Sequence, residues 1–117
     1  MKTSSSRRSI RLADLIQQEL GTMLLEDVQD PRLDMVTISG VRMNRDLKVA
    51  EVLYTMSGDA ERAAGAQAAL EHAAGFLRSN LGKRLKIKFV PTLRFARDEF
   101  LEDMVYAKHP PRNSEDN

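Results

Sequence analysis

Residues 73–95 read Ala73-Ala74-Gly75-Phe76-Leu77-Arg78-Ser79-Asn80-Leu81-Gly82-Lys83-Arg84-Leu85-Lys86-Ile87-Lys88-Phe89-Val90-Pro91-Thr92-Leu93-Arg94-Phe95, and their periodicity changes midway. Ala73, Leu77, Leu81 and Leu85 recur every fourth residue, which puts one apolar stripe on a helix. From Lys86 the pattern alternates. Ile87, Phe89, Leu93 and Phe95 share one side of an expected strand, and Lys86, Lys88, Thr92 and Arg94 the other. Pro91 removes one ladder donor, so this strand is expected at a sheet edge or bulged there. From Phe76 to Arg97 there are seven Lys or Arg residues and no Asp or Glu. An unbalanced basic run over a helix-to-strand junction suggests a surface for a polyanion. On the residues of this run alone, an ordinary solvated face is the slightly favoured reading.

Upstream, Ile10, Ala13, Ile16, Leu20, Met23 and Leu24 fall at steps of three and four, predicting an amphipathic helix over residues 7–27. Its N-terminal bases Arg7, Arg8 and Arg11 have the wrong sign for the helix dipole, so they are either solvated or a second basic edge. Asp30-Pro31-Arg32-Leu33 cannot continue the helix, because proline lacks the amide hydrogen and disfavours helical geometry before it. A strand follows from Val36 to Met43, and its apolar phase slips at Gly40, which suggests a bulge. Asn44-Arg45-Asp46 is turn chemistry, and Leu47 to Met56 forms the second strand of an antiparallel hairpin.

Asp59 is a suitable N-cap for an alanine-rich helix reaching Leu85. Unbroken, that helix would span roughly 40 Å. A compact domain of this size is only about 35 Å across. A bend is therefore expected, with Gly75 well placed for it; a glycine kept for close packing is the other reading. After Phe95, the acidic segment from Asp98 to Asp103 and Met104-Val105-Tyr106 form a further helical turn. The order helix, strand, strand, bent helix pair, strand defines an α+β domain with helices on one face of a three-stranded sheet. One domain is expected over residues 1–106, with polar Met1 to Ser6 loosely held and residues 107–117 a disordered tail.

Composition narrows the function. Hydrophobic residues are 42% and charged residues 30% of 117, which fits a single globular core. No run approaches the roughly 20 apolar residues of a membrane span, and no signal peptide is evident. Zero cysteines exclude disulfides, thiolate metal sites and cysteine nucleophiles, and point to the cytoplasm. Net charge is +1, but residues 1–11 carry four bases and no acid, whereas residues 14–34 carry six acids and one base. The two histidines, His72 and His109, have no catalytic setting. Asp98/Glu99 and Glu102/Asp103 read more readily as an acidic turn than as magnesium ligands. Neither a phosphate loop nor zinc spacing occurs, so no enzyme activity and no cofactor are expected.

In Arg8…Ile16-Gln17-Gln18-Glu19-Leu20, Asp30-Pro31-Arg32-Leu33, Asp46-Leu47-Lys48-Val49-Ala50, Ala73-Ala74-Gly75-Phe76-Leu77-Arg78, Leu81-Gly82-Lys83-Arg84-Leu85 and Pro91-Thr92-Leu93-Arg94-Phe95, the chain resembles the ribosome-binding factor A family. The motifs occur in order over roughly residues 7–98. The resemblance implies a type II KH-like fold whose Gly-x-x-Gly loop is replaced by an Ala-x-Gly kink, matched here by Ala73-Ala74-Gly75. It implies binding to the free small ribosomal subunit and its ribosomal RNA near the 5′-terminal helix. It also implies a role in late 5′-end processing and in growth in the cold. The chain departs from the family after Glu99, where it is short, acidic and contains Pro110-Pro111.

The residues expected to meet RNA are Ala73, Ala74 and Gly75 at the kink, then Arg78, Lys83, Arg84, Lys86 and Lys88, with Arg7, Arg8 and Arg45 extending the footprint. Arg42 and Lys48 are weaker additions. Lys and Arg neutralise phosphates and release counterions, giving affinity with little sequence information. With only four Phe, two Tyr and no Trp, recognition is expected to rest on phosphates and RNA shape rather than on stacking. A monomer is expected in the free state. The alternative is a protein-interaction module that docks a partner through its basic or acidic face.

Overall fold

Ser6 caps the first helix, its hydroxyl accepting from the Ser9 amide at 3.1 Å. The computed structural model describes residues 6–106. The rest of the Ser-rich start and the tail after Tyr106 lie outside the described residues. Helix α1 (Arg7–Glu26) buries Ser9, Ala13, Ile16, Leu20 and Met23. Ile10, expected on that face, is instead 52% exposed, and Ser9 takes the buried place. A 3₁₀ turn at Pro31–Leu33, capped by Asp30, leads into the sheet.

Strands β1 (Thr37–Met43) and β2 (Val49–Thr55) pair antiparallel, and β2 pairs parallel with β3 (Thr92–Arg97), giving the order β1-β2-β3. The phase slip is a bulge: Ile38 faces Tyr54 and Gly40 faces Leu53, so Ser39 is the additional residue. In β2, Ala50, Val52 and Tyr54 are buried and alternate with half-buried Val49, Glu51, Leu53 and Thr55. Both long helices cover the buried side, where Leu70, Leu77 and Leu81 of α2 (Ala60–Leu85) meet the core. Two layers of this kind match the expected α+β class.

Two expectations need correction. The chain from Ala60 to Leu85 is one continuous 26-residue helix, hydrogen-bonded through Gly75. The glycine with positive φ is Gly58, not Gly75. The expected bend presupposed a round domain. The molecule is elongated, 51 × 33 × 18 Å, and its long axis accommodates a helix of about 39 Å. The third strand also starts later than expected. Lys86 turns into left-handed geometry (φ 54°), residues 86–91 form a loop, and Pro91 precedes the strand instead of interrupting it. Only Leu93 and Phe95 of the alternating set are buried, while Phe89 is 82% exposed.

The acidic segment is a structural strut. It forms α3 (Glu99–Tyr106), with Asp98 accepting from the Leu101 amide (3.0 Å) and from the Ser39 hydroxyl (2.9 Å). Glu102 is only 8% exposed; it accepts from the Met56 amide at 2.9 Å and from Arg97 at 2.7 Å. Among the described residues no acidic or histidine cluster is arranged to hold a metal ion.

Candidate nucleic-acid interface

Three separate segments bring their basic residues to one place. In α1, Arg8, Arg11, Leu12 and Leu15 recur at helical spacing along one side. Cations in a first helical turn oppose the helix dipole, so this placement gives α1 no local stability. The hairpin turn supplies Arg45 and Lys48. Asn44 Oδ1 accepts from the amides of Lys48 and Val49, both at 2.9 Å, and Asp46 Oδ1 accepts from Asn44 Nδ2 at 2.7 Å. Leu47 sits at φ 63°, an uncommon conformation for a residue with a Cβ, held by this network. Asp46 is thereby used within the turn.

The third segment is the loop 86–91, which is fastened at several points. The Arg78 guanidinium donates to the carbonyl oxygens of Val90 (2.9 Å) and Pro91 (3.2 Å). Pro91 is fully buried, and Val90 packs so closely on Gly82 that a Cβ there would lie 2.8 Å from Val90 Cγ2. The Thr92 amide donates to the Lys48 carbonyl at 2.8 Å, tying the loop to the hairpin turn. Lys88 and Phe89 project from this anchored frame, the Lys88 Nζ standing 5.7 Å from the Phe89 ring centroid.

Between the three segments and α2, which contributes Arg78, lies an open cleft of about 1020 Å³, lined by Arg8, Arg11, Arg45, Lys48, Arg78 and Lys88, with Leu12, Leu15, Ile87, Phe89 and Val90 as its apolar surface. Asp46 is the one acid on its wall. None of the six cations is ion-paired with a described carboxylate. Six like charges around one concavity repel each other, and a polyanion relieves that repulsion. A smaller groove of about 400 Å³ adjoins it, lined by Gly75, Arg78, Ser79, Lys88, Phe89 and Val90.

The expected contact residues divide accordingly. Arg8, Arg45, Arg78 and Lys88 meet in the cleft, and Gly75 lines the adjoining groove. Ala73 and Ala74 are half-buried against the core. Arg7, Lys83 and Lys86 are exposed but do not line the cleft. Arg84 is engaged elsewhere: Nη1 reaches Glu19 Oε1 at 3.0 Å and Nη2 reaches Asp27 Oδ2 at 2.9 Å, joining α2 to α1. Hydrogen bonding to Glu19, then to Asp27, raises its pKa above the usual arginine value. Arg42 is paired with Glu51 at 2.6 Å across the strands.

Among the cleft residues absent from the expected contacts, Arg11 and Phe89 matter most, although Arg11 falls on the candidate second basic edge read from the sequence. Arg11 was readable from its i, i+3 relation to Arg8. Phe89 was assigned to the core by a strand phase that Pro91 does not permit. Further along α1 the charge reverses. A second groove of about 1190 Å³, between α1 and the start of β1, carries Asp14, Asp30 and Asp34 and no basic residue. There, hydrogen bonds from Arg32 hold the Asp30 carboxyl below its ordinary pKa.

Comparison with known proteins assigns this arrangement. A family profile described as ribosome-binding factor A matches residues 8–109. Ribosome-binding factor A of Nitrosomonas eutropha is 41% identical over 95 residues, covering 81% of each chain. The solution NMR structure of a Thermotoga maritima protein assigned to the same factor superposes with a TM-score of 0.68 at 32% identity, covering 80% of this chain and 89% of that one. A homology model of the Thermus thermophilus factor, as fitted into a cryo-EM map of its complex with the 30S subunit, superposes with a TM-score of 0.55 at 29% identity. It covers 70% of this chain and 90% of that one. The profile spans the segments that build the cleft, and sequence and fold agree: the chain belongs to the ribosome-binding factor A family.

Proposed function

We propose that residues 1–106 act as one RNA-binding unit that engages the free small ribosomal subunit through the basic cleft. The convergence of six cations without carboxylate partners among the described residues, drawn from α1, the hairpin turn, Arg78 of α2 and the loop after α2, carries this reading. Each can neutralise a phosphate and release counterions, while the curvature of the cleft selects the path of the backbone. The Thermus thermophilus relative, fitted into a 30S complex, supports the choice of partner. Within that subunit we assign the target to ribosomal RNA near the 5′-terminal helix, and the role to late maturation and 5′-end processing in the cytoplasm. The acidic groove beside β1 favours a second reading, in which a basic partner protein docks there.

Co-sedimentation with purified small subunits over a salt series tests the first reading. Arg45→Glu combined with Lys88→Glu should abolish binding at moderate salt. Single Ala replacements at Arg8, Arg11 or Arg45 should each make the log–log salt slope shallower by roughly 0.7–0.9. Unchanged affinity and slope in folded variants would remove the cleft from the mechanism. Loss of binding on Asp14→Lys with Asp34→Lys, and not on the cleft changes, would favour the second.

A further inference from the structure

Phe89 is a large apolar side chain with no role in the core. It is 82% exposed, and it is held out by a loop whose neighbours are fixed: Val90 on Gly82, Pro91 buried, and two carbonyls bonded to Arg78. The ring is thus presented to solvent by a rigid frame, which lowers the entropy lost when a ligand stacks on it. Its surroundings are the walls of the 400 Å³ groove: Lys88, whose ammonium stands over one face of the ring, Arg78, Ser79, and the bare backbone of Gly75. A Cβ built on Gly75 meets nothing within 4 Å, so the groove floor is open at that point. A cleft of this volume lies at the lower end of the range for small-ligand sites, sized for one splayed nucleotide and not for a helix.

We propose that Phe89 forms a stacking subsite for a single unpaired base of the bound RNA, next to the phosphate-binding cleft. This rests on the RNA-binding reading above and refines it: the preferred ligand is single-stranded RNA, or a duplex end with one base turned out. An aromatic face accepts any base, because every base has a π face, whereas the flanking Lys88 and Arg78 hold the adjoining phosphates. The ammonium of Lys88 takes one face of the ring, 5.7 Å from its centroid, so the base stacks on the opposite face while that charge steers the negatively charged strand towards it. Paired bases cannot reach the ring, so the subsite discriminates by structure and not by sequence.

The experiment uses the full chain and two RNA probes with equal numbers of phosphates. One is a single-stranded oligonucleotide carrying 2-aminopurine, the other a blunt duplex. Phe89→Leu keeps the apolar bulk and removes the π face, while Phe89→Tyr keeps the face. Phe89→Leu is expected to weaken single-strand binding about tenfold or more, and to relieve the 2-aminopurine quenching seen with the native protein. Phe89→Tyr should bind like the native chain, and duplex affinity should change less than about twofold for both, with an unaltered salt slope. If Phe89→Leu binds and quenches as the native chain does, while Arg45→Ala still weakens binding, stacking is refuted and the RNA-binding reading stands. An equal loss on both probes would also overturn it, marking a general packing effect. If the native chain binds neither probe nor the small subunit, both readings fall.

Discussion

Gly75 and Gly82 lie two turns apart in α2, and replacing each with alanine should affect stability differently, with a gain at Gly75 and none at Gly82. In a helix interior, Gly→Ala gains about 0.5–1 kcal/mol, mainly by restricting the unfolded chain. At Gly75 nothing opposes this gain, since the added methyl has no neighbour within 4 Å and the residue has no positive φ. At Gly82 the methyl would stand 2.8 Å from Val90 Cγ2. Valine is branched at Cβ and cannot swing away, so relief requires the loop 86–91 to move, an overpacking cost of about 1–3 kcal/mol. Gly82→Ala should therefore range from no net change to about 2 kcal/mol less stable. For a domain of this size 1 kcal/mol corresponds to about 4–8 °C in Tm. Thermal and guanidinium unfolding followed by circular dichroism, with unchanged m-values, would measure both. A Gly75→Ala variant less stable than the native protein would refute the continuous helix and restore a kink. Equal stabilisation at both sites would show that Val90 does not lock the loop.

Three further outcomes are expected. Glu102→Ala should lower stability by about 1–3 kcal/mol, because it leaves the Met56 amide without its acceptor; denaturant unfolding measures it, and a neutral result would mean α3 is dispensable. Burial raises the Tyr54 phenol above its usual pKa of 10.0, so its share of stability is complete below pH 10 and is lost as pH rises through the folded value. Tm against pH should fall more steeply above pH 10 for the native chain than for Tyr54→Phe, and parallel curves would contradict the shift. Arg84→Met should lower Tm slightly, by an amount that shrinks with added salt, and leave subunit affinity intact, since its partners are Glu19 and Asp27; weakened subunit binding would return Arg84 to the interface.

Local pattern carried most of the architecture. The steps of three and four in α1, the turn chemistry at Asn44-Arg45-Asp46, the slip at Gly40 and the Asp59 cap are all signals within a few residues of the feature they set. The readings that failed depended on global shape or distant partners. The bend at Gly75 was inferred from an assumed diameter. The early start of β3 treated Pro91 as an interruption within an alternating run, when its missing donor and buried ring end the loop. The candidate site was half legible. Charge type was visible along the chain, but whether a cation is free depends on what folds opposite it. Arg84 and Glu19 are 65 residues apart, and no periodicity announces their pairing. Arg8, Arg45 and Lys88 likewise become neighbours only through the sheet and its crossover.

The parallel pairing of β2 with β3 also has a consequence for synthesis. The β1–β2 hairpin can close as soon as Thr55 leaves the ribosome, yet the strand that completes the other edge of β2 begins at Thr92. About 36 residues intervene, which at roughly 5–20 residues per second leaves that edge uncovered for about 2–7 s. During the interval Ala50, Val52 and Tyr54 lack β3, and α2 can cover them only once its own residues have emerged. The nascent chain is then a half-built sheet with an apolar face and a free row of backbone donors, the state most open to pairing with another chain. Slower elongation prolongs it, so the yield of native protein should track the time taken to translate α2 more closely than the final stability of the fold.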